Sequence, residues 1–376
     1  MPGYFDYAAT TPMPEAVIDA WVTATRSVGN ASATHRQGQQ TRLLWEQGRE
    51  MAANSIGAKP FDVTMTGSGT EAINTAIKGL YASRSVSAGK RILSTETEHH
   101  ATLDTLHWLE KNAGAEIVFL KVDETGTIDL PDLAENLGSD VALVTTLWTN
   151  NEVGTIQPVE EIVSLAAEHG VPVHLDAVAA LGYTPINFDE SGLAALSVSA
   201  HKVGGPISVG ALAISRGWQI EALVHGGSQQ RLRSGSLDVP GVYAAGVAMQ
   251  LATTELAERN ANLAKLRDRL ADGVLSAIPG AKLRGHPVKR SPGNLHITVG
   301  KMDSVSALLL LDEAGFAVSG GSACQAGVAG PSHVLRAMGI PADESPLRFT
   351  LGHDTTEAEV DELIATIGDV VKRASA

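Results

Sequence analysis

Between about residue 61 and residue 214, short apolar runs alternate with helical patterns, and this alternation constrains the fold most. Runs such as FDVTM, KRILS, EIVFL and VALVTTLW are typical of strands covered on both faces of a sheet. After the first run, apolar residues recur at helical spacing; they are Ala72, Ile73, Ala76, Ile77 and Leu80. The pattern predicts an α/β fold with a large, doubly wound, mainly parallel sheet.

The pattern changes after about residue 256. A long charged helix, LAERNANLAKLRDRLADGVLSAI, is followed by strand NLHITVG, helix DSVSALLLLDEAG, strand LRFTLG and a last helix from Thr355. This mixture predicts a smaller α+β domain at the C-terminal end. The first residues are too few to fold alone, so we expect them to dock against it. The predicted domains are a large domain, 12–255, and a small domain formed by 1–11 and 256–376.

Composition narrows the classes of function. The formal net charge is −14, so we expect no direct contact with nucleic acid or an anionic membrane. No apolar run reaches the roughly 20 residues of a membrane span, and the start, MPGYFDYAATTPMPEA, does not resemble a signal peptide. The single cysteine, Cys324, excludes an internal disulfide framework. It suits a reducing compartment, so we expect a cytoplasmic protein.

The stretch MTGSGTEA lies between a predicted strand and a predicted helix. Backbone N–H groups at such a helix start can hold a phosphate. The stretch also matches G-x-G-x-x-A at Gly67, Gly69 and Ala72, as in dinucleotide-binding folds, but no acidic residue ends the next strand. An ordinary tight turn is the remaining alternative.

Asp176 and Lys202 follow two different buried strands, in VHLDAV and SVSAHKVGGP. A buried carboxylate needs a partner, and an enclosed lysine gives up its proton more easily. Each residue alone more often caps a loop or meets solvent. Together with an anion-binding turn, they match the needs of pyridoxal phosphate: a phosphate cradle, an acid for the ring nitrogen and an amine for the aldehyde.

Other polar residues leave more than one interpretation open. His99, His100 and His107 could hold zinc, but adjacent histidines seldom bind one metal and no H-E-x-x-H is present. We therefore expect no metal site, and stacking on a cofactor is the sharper hypothesis for His99. Arg348 could clamp a carboxylate with two parallel hydrogen bonds or form a surface ion pair. Cys324 lies in the glycine-rich stretch SGGSACQAGVAG, which is unlike the surroundings of a buried structural thiol.

Taken in order, the motifs give the chain a family resemblance. They are DYAATTP, GNASATHRQG, GSGTEAIN, TEHHATLDT, NNEVGTIQP, HLDAV, SAHKVGGP, RSGSLDVPG, SGGSACQAG, PSHVLRAMG and LRFTLG. The chain resembles the cysteine desulfurases of the IscS/NifS type, in the class V aminotransferases. The resemblance implies pyridoxal phosphate enzymes of fold type I, and it covers nearly the whole chain.

The resemblance also implies a role for each matching residue. Lys202 would hold the cofactor aldehyde and remove a proton, His99 would stack on the ring, and Cys324 would be the nucleophile. Asn30 and Arg348 would hold the substrate carboxylate. Ser236 would reach the cofactor phosphate of the other subunit, which implies a homodimer. The cofactor-binding residues would be Gly69, Thr70, His99, Asn151, Asp176, Ser199, His201, Lys202 and Ser236.

The implied reaction removes sulfur from L-cysteine and gives L-alanine and a persulfide on Cys324. A sulfur-acceptor protein, such as an iron–sulfur scaffold or a tRNA thiolation enzyme, would receive the sulfur. Two alternatives stay open: a related lyase acting on selenocysteine or cysteine sulfinate, and a non-catalytic sulfur-relay protein. The chain departs from the family pattern at Ala179, where glutamine is usual, and in SAHK and GPIS. These departures put the cofactor geometry and the rate in question.

Overall fold

The computed structural model describes residues 3–85, 89–321 and 332–375. The strands are β1 (Gly3–Tyr4), β2 (Val63–Thr66), β3 (Arg91–Thr95), β4 (Glu116–Leu120), β5 (Val141–Leu147), β6 (Val173–Asp176), β7 (Ala195–Ser199), β8 (Gly210–Ile214), β9 (Lys282–Arg284), β10 (Asn294–Gly300), β11 (Phe316–Ala317) and β12 (Glu344–Thr350). The helices are α1 (Glu15–Thr25), α2 (Arg36–Ser55), α3 (Gly69–Arg84), α4 (His100–Ala113), α5 (Leu130–Asn136), α6 (Val159–Glu168), α7 (Val239–Thr253), α8 (Leu256–Ala277), α9 (Ser304–Glu313), α10 (His333–Ala337) and α11 (Glu357–Ala374). Among these residues, no helix is both long enough and apolar enough to cross a bilayer.

A seven-stranded sheet forms the larger part, in the order β2-β8-β7-β6-β5-β3-β4. The pairs from β7 to β4 are parallel, whereas β8 runs antiparallel to both β2 and β7. The segment between β7 and β8, residues 200–209, is shorter than the dozen or more residues that a parallel crossover needs. The predicted doubly wound, mainly parallel sheet is confirmed.

Apolar residues cover both faces of this sheet. In β8, Ala211 and Ala213 belong to one buried cluster, and Leu212 and Ile214 belong to another. Successive side chains of a strand point to opposite faces, so the two clusters lie on opposite sides. The sheet is therefore a central layer between two layers of helices, which accounts for the continuous apolar strands.

Helix α3 begins at the end of β2 and carries the predicted apolar face into the core. Ser68 caps it, since its side chain accepts a hydrogen bond from the Glu71 N–H. Five apolar residues are each at most 2% exposed; they are Ala72, Ile73, Ala76, Ile77 and Leu80. Burial of this face fixes the start of α3 against the edge of the sheet.

Helices α1, α2 and α7 were not predicted from the sequence. Helices α2 and α7 cross at Gly48 and Gly246, where a Cβ on Gly48 would lie 2.5 Å from the Val242 carbonyl oxygen. Glycine is required for so close an approach of two backbones. In the sequence these positions appear only as two isolated glycines, and nothing there indicates which helix each of them contacts.

The C-terminal part contains a three-stranded sheet, β12-β10-β9, and the short parallel pair β1-β11. Its core includes Leu270, Leu295 and Phe349, together with Phe5 from the start of the chain. The N-terminal residues therefore pack on this part, as expected. The domain limits at residues 11 and 255 stay a prediction, which the position of Phe5 supports.

Candidate active site

A cavity of about 400 Å³ lies where strands β5, β6 and β7 end, and residues of β12 form part of its wall. Ligands of open α/β sheets bind in this crevice at the carboxyl ends of the strands. Among the lining residues are many that the sequence singled out: Gly69, Thr70, His99, Asn151, Asp176, Ser199, His201, Lys202 and Arg348. Residues that are far apart in the sequence thus meet in one place.

Asp176, the last residue of β6, supplies a buried carboxyl group. Its side chain accepts a hydrogen bond from the Val178 N–H at 2.9 Å, and the residue is 2% exposed. Burial raises the pKa of Asp176 to about 6, although the Val178 N–H and the charge of Lys202 act in the opposite direction. The carboxylate would be more stable beside a cation inside the cavity.

Lys202 lies in a short 3₁₀ turn, Ala200–Val203, directly after β7. Its Nζ donates hydrogen bonds to the carbonyl oxygens of Ala8 at 2.6 Å and Ala9 at 3.0 Å. Thr11 donates its hydroxyl to the Lys202 carbonyl oxygen at 2.8 Å. The N-terminal segment therefore positions the amine. Sequence reasoning missed these contacts because backbone carbonyls have no signature in a sequence.

The start of α3 forms another wall of the cavity at Gly69 and Thr70. A Cβ on Gly69 would lie 3.0 Å from both the Ser199 Cβ and the Val178 Cγ2. The glycine thus allows close packing between the helix start and the end of β7. The first N–H groups of a helix have no partner within it and attract anions. This arrangement favours the anion-binding turn over the two alternatives left open by the sequence.

His201 lines the same cavity as the anion-binding turn. Burial, with a smaller effect of the charge on Lys202, lowers the pKa of His201 to about 4. The imidazole is therefore uncharged at neutral pH. A neutral ring can donate one hydrogen bond to an anion without carrying a charge of its own.

His99 caps helix α4 at the rim of the cavity. Its Nδ1 accepts a hydrogen bond from the Ala101 N–H at 3.0 Å, so in the neutral ring the proton lies on Nε2. Burial, followed by the positive charge of Lys202, lowers the pKa of His99 to about 4. The ring is thus uncharged and held in one orientation, which suits stacking on a cofactor or passing a proton.

Arg348, in β12, is 1% exposed and already makes several hydrogen bonds. Its Nη2 lies 2.7 Å from the Asp6 Oδ1, and its Nη1 donates to the carbonyl oxygens of Asn151 at 3.0 Å and Gly321 at 2.6 Å. The Nε is buried without a partner among the described residues. The guanidinium does form an ion pair, with Asp6, but it is buried in the cavity wall and not at the surface; its role as a carboxylate clamp stays a prediction.

Two residues implied by the resemblance do not line this cavity. Asn30 is exposed, and its side chain accepts a hydrogen bond from the Ser32 N–H. Ser236 is also exposed and does not line the cavity. Cys324 lies outside the described residues. The roles of these three residues stay predictions.

Glu98 is a buried carboxyl group beneath the site that sequence reasoning missed. Thr95 and Thr146 donate their hydroxyls to its Oε1, and His333 donates its Nε2–H to its carbonyl oxygen at 2.8 Å. Burial raises the pKa of Glu98 to about 8, so the side chain is largely protonated at pH 7. The residue appears in the sequence only as part of TETEHH, where nothing marks it as buried.

Metal chemistry finds no support in residues 3–85, 89–321 and 332–375. No group of three or more histidine, cysteine, aspartate or glutamate side chains there could hold a metal ion. The rings of His99 and His100 lie 6.5 Å apart between centroids and His100 packs on His333 at 4.9 Å. The histidines therefore form a packed cluster at the rim.

Comparison with known proteins gives four consistent matches. The model of the family described as aminotransferase class-V matches residues 3–363. The IscS-like cysteine desulfurase of Mycobacterium tuberculosis is 45% identical, over 99% of this chain and 96% of the relative. A solved NifS-like protein superposes with a TM-score of 0.92 at 32% identity, covering 99% of this chain and 100% of the other. A structure described as SspA in complex with cysteine has a TM-score of 0.80 at 28% identity, covering 93% and 98%.

The chain therefore belongs to the aminotransferase class-V family, whose fold is that of the type I pyridoxal phosphate enzymes. Within that family it is one of the IscS/NifS-like cysteine desulfurases. The resemblance stated from the motifs is confirmed, and the dinucleotide-binding alternative is wrong. Enzymes of this family depend on pyridoxal phosphate in general.

Proposed function

We propose that this cavity removes sulfur from L-cysteine with pyridoxal 5′-phosphate, giving L-alanine and a persulfide on Cys324. One observation carries the proposal. The Asp176 carboxyl, the Lys202 amine and the start of α3 line a single cavity at the carboxyl ends of the strands. Membership of the cysteine desulfurases supplies the reaction and the substrate class.

The residues present fit this cofactor. The raised pKa of Asp176 means that its carboxylate lacks sufficient compensation within the chain, and a protonated ring nitrogen would supply it. The phosphate would lie against the N–H groups of Gly69 and Thr70, with Ser199 and His201 as further donors. His99 and Asn151, which line the same cavity, would hold the ring. Ala179 lines the cavity without offering a hydrogen bond to the ring hydroxyl.

Pyridoxal 5′-phosphate, when bound, supplies an electron sink for charge that develops on the substrate α-carbon. Lys202 accepts the proton from that carbon. The carbonyl oxygens of Ala8 and Ala9, already within hydrogen-bond distance, then stabilise the ammonium group. The neutral His99 keeps its proton on Nε2, where it can donate to the substrate or the cofactor.

Arg348 binds the substrate carboxylate by exchanging partners. In the structure its Nη1 is shared between the Asn151 and Gly321 carbonyl oxygens. A carboxylate is a stronger acceptor than a carbonyl, so it would take over one of these donors. Asp6 keeps the guanidinium in place from the other side.

Cys324 would accept the sulfur from the substrate. Its thiolate attacks the substrate sulfur; a sulfur–sulfur bond forms, the carbon–sulfur bond breaks, and the electron pair stays with the substrate carbon. Protonation of this β-carbon and return of a proton from Lys202 to the α-carbon give alanine, and no external oxidant is needed. A thiol reductant or an acceptor protein then removes the sulfur from the persulfide.

The assembly and the location follow the resemblance. We propose a homodimer in which Ser236 of each subunit reaches the phosphate of the other, and an acceptor protein that receives the sulfur. Iron–sulfur cluster assembly and tRNA thiolation are the candidate destinations. A cytoplasmic location agrees with the single cysteine, and the net charge of −14 argues against direct binding of nucleic acid.

The test is a turnover assay on the purified protein loaded with pyridoxal phosphate. With L-cysteine and a thiol reductant, we expect equimolar alanine and sulfide. Cys324→Ser should keep the visible absorbance of the cofactor and lose turnover. Normal turnover by Cys324→Ser would contradict the assigned nucleophile. Faster turnover of selenocysteine or cysteine sulfinate would favour the related lyase, and unchanged sulfur relay by Lys202→Ala would favour a non-catalytic protein.

A further inference from the structure

Gly321 and Ser332, which bracket residues 322–331, both lie beside one buried side chain, that of Glu152. Gly321 has a φ of +112°, and a Cβ there would lie 3.2 Å from the Glu152 Oε2 and 3.4 Å from the His296 Nε2. Both distances are shorter than most Cβ contacts, so a side chain on Gly321 would have to displace one of these groups by a few tenths of an ångström. Arg348 holds the same residue through its carbonyl oxygen at 2.6 Å.

On the other side, Ser332 donates its hydroxyl to the same Glu152 Oε2 at 2.5 Å. The Ser332 Oγ also accepts a hydrogen bond from the Leu335 N–H at 3.2 Å, capping α10. Both residues are buried, Glu152 at 1% exposure and Ser332 at 5%. A buried, charge-assisted hydrogen bond of this kind holds its partner more firmly than a neutral one.

Glu152 itself is fixed by its backbone. Its N–H donates to the Asn150 Oδ1 at 2.9 Å, and its carbonyl oxygen accepts from the Asn294 Nδ2 at 3.2 Å. The neighbouring His296 is uncharged, because burial, reinforced by nearby arginines, lowers its pKa to about 3. An uncharged ring forms no ion pair with the Glu152 carboxylate, so the Glu152 Oε2 stays available to accept the Ser332 hydroxyl.

We propose that Glu152 is a positioning residue that fixes both chain ends from which residues 322–331 begin and finish. It acts on Ser332 through a hydrogen bond and on Gly321 by occupying the space that a side chain there would enter. Glu152 lines the active-site cavity, so these two chain ends are set relative to the place where Asp176 and Lys202 meet. The inference rests on the proposed function, since Cys324 lies in the bracketed segment. It adds a residue to which the resemblance gave no role.

Gly321→Ala, with Gly320→Ala as the control, tests whether the place of Gly321 matters for turnover. A Cβ on Gly320 would meet only the Leu308 Cδ1, at an ordinary 3.6 Å. We expect Gly321→Ala to lower kcat for alanine formation about tenfold or more, with KM for L-cysteine little changed, because misplacement of a reacting group is costly. Gly320→Ala should stay close to the wild type. Equal kcat values for the two variants would overturn the proposal.

A second measurement does not depend on activity. In the cofactor-free protein, Glu152→Ala should accelerate amide hydrogen exchange about tenfold or more in the peptides that contain Gly321 and Ser332, because both lose the same contact. Glu152→Gln should recover most of the protection, since its amide oxygen can still accept the Ser332 hydroxyl. Acceleration on one side alone, or on neither, would overturn the proposal.

The two measurements also separate this proposal from the proposed function. If the wild type forms no alanine, the proposed function fails, whereas hydrogen exchange still decides whether Glu152 holds both chain ends. If the wild type forms alanine and Glu152→Ala exchanges like the wild type, only the positioning role is overturned.

Discussion

The cavity has two ends that differ in how well the chain satisfies its own charges. At the cofactor end, Asp176 is buried with one backbone N–H, and its pKa is raised to about 6. At the substrate end, Arg348 is equally buried but is paired with Asp6 and two carbonyl oxygens. The first end lacks sufficient compensation for its carboxylate, whereas at the second only the Arg348 Nε is without a partner among the described residues.

This difference indicates two modes of binding. Burial of the Asp176 carboxylate costs free energy on folding. A ligand that compensates this charge offsets that cost, so binding there should stabilise the protein strongly. A ligand at Arg348 must replace existing partners, so binding there is an exchange and leaves the guanidinium in place. The first mode suits a cofactor that stays, and the second suits a substrate that leaves after each turnover.

The largest expected effect comes from removing the amine at the cofactor end. Lys202→Ala should lower alanine formation by about 10³-fold or more, because in the proposed mechanism the residue is both the amine and the base. The measurement is alanine release from L-cysteine, with the exposed Lys111→Ala as the control. A rate within tenfold of the wild type would remove Lys202 from the mechanism.

The next effect concerns the substrate end. Arg348→Lys removes the planar guanidinium, whose several N–H groups bond to Asp6 and to the carbonyl oxygens at the same time. We expect KM for L-cysteine to rise about 10- to 100-fold. The visible absorbance of the bound cofactor should change little, because Asp176 and Lys202 are intact. A large loss of cofactor binding instead would show that the two ends are not separate.

Asp176→Asn sharpens the comparison through stability. In the cofactor-free protein, the pKa of Asp176 is about 6 in the folded state and 3.8 in the unfolded state. The protonated carboxyl group therefore contributes its full stability below pH 3.8, and this contribution is lost as the pH rises through about 6. At pH 8 the neutral amide should therefore stabilise the cofactor-free protein by about 2–3 kcal/mol. The gain should vanish near pH 4.

Urea unfolding at the two pH values measures this gain, with the exposed Asp19→Asn as the control. The same variant should bind pyridoxal phosphate more weakly than the wild type. A loss of stability at pH 8 would mean that Asp176 is already compensated, and the contrast between the two ends would disappear.

The smallest effect tests strain beside the cofactor end. Ser208 lines the cavity in the GPIS turn and has a φ of +64°, a conformation that costs a non-glycine residue about 1 kcal/mol or more. Ser208→Gly should raise the free energy of unfolding by about 0.5–1 kcal/mol, as measured in urea. Ser208→Ala keeps the strain and should give no gain; equal gains in both variants would exclude strain as the cause.

The sequence predicted the cofactor end better than the substrate end, and the reason is local geometry. Asp176 and Ser199 end apolar strands, and Gly69 begins a helix, so the rule for parallel sheets brings them together. The ion pair of Arg348 with Asp6 joins opposite ends of the chain, and no local pattern encodes it. Likewise, burial of Glu98 and Glu152 depends on tertiary packing, and nothing in the local sequence distinguishes them from glutamates at the surface.

The most direct test of the central claim is the identity of the amine that holds the cofactor. The loaded protein is treated with borohydride, which fixes the cofactor covalently to that amine, and is then digested and mapped by mass spectrometry. We predict the pyridoxyl group on Lys202 in the wild type and, at a much lower yield, in Asp176→Asn. A pyridoxyl group on another lysine, or none on Lys202, would contradict the account.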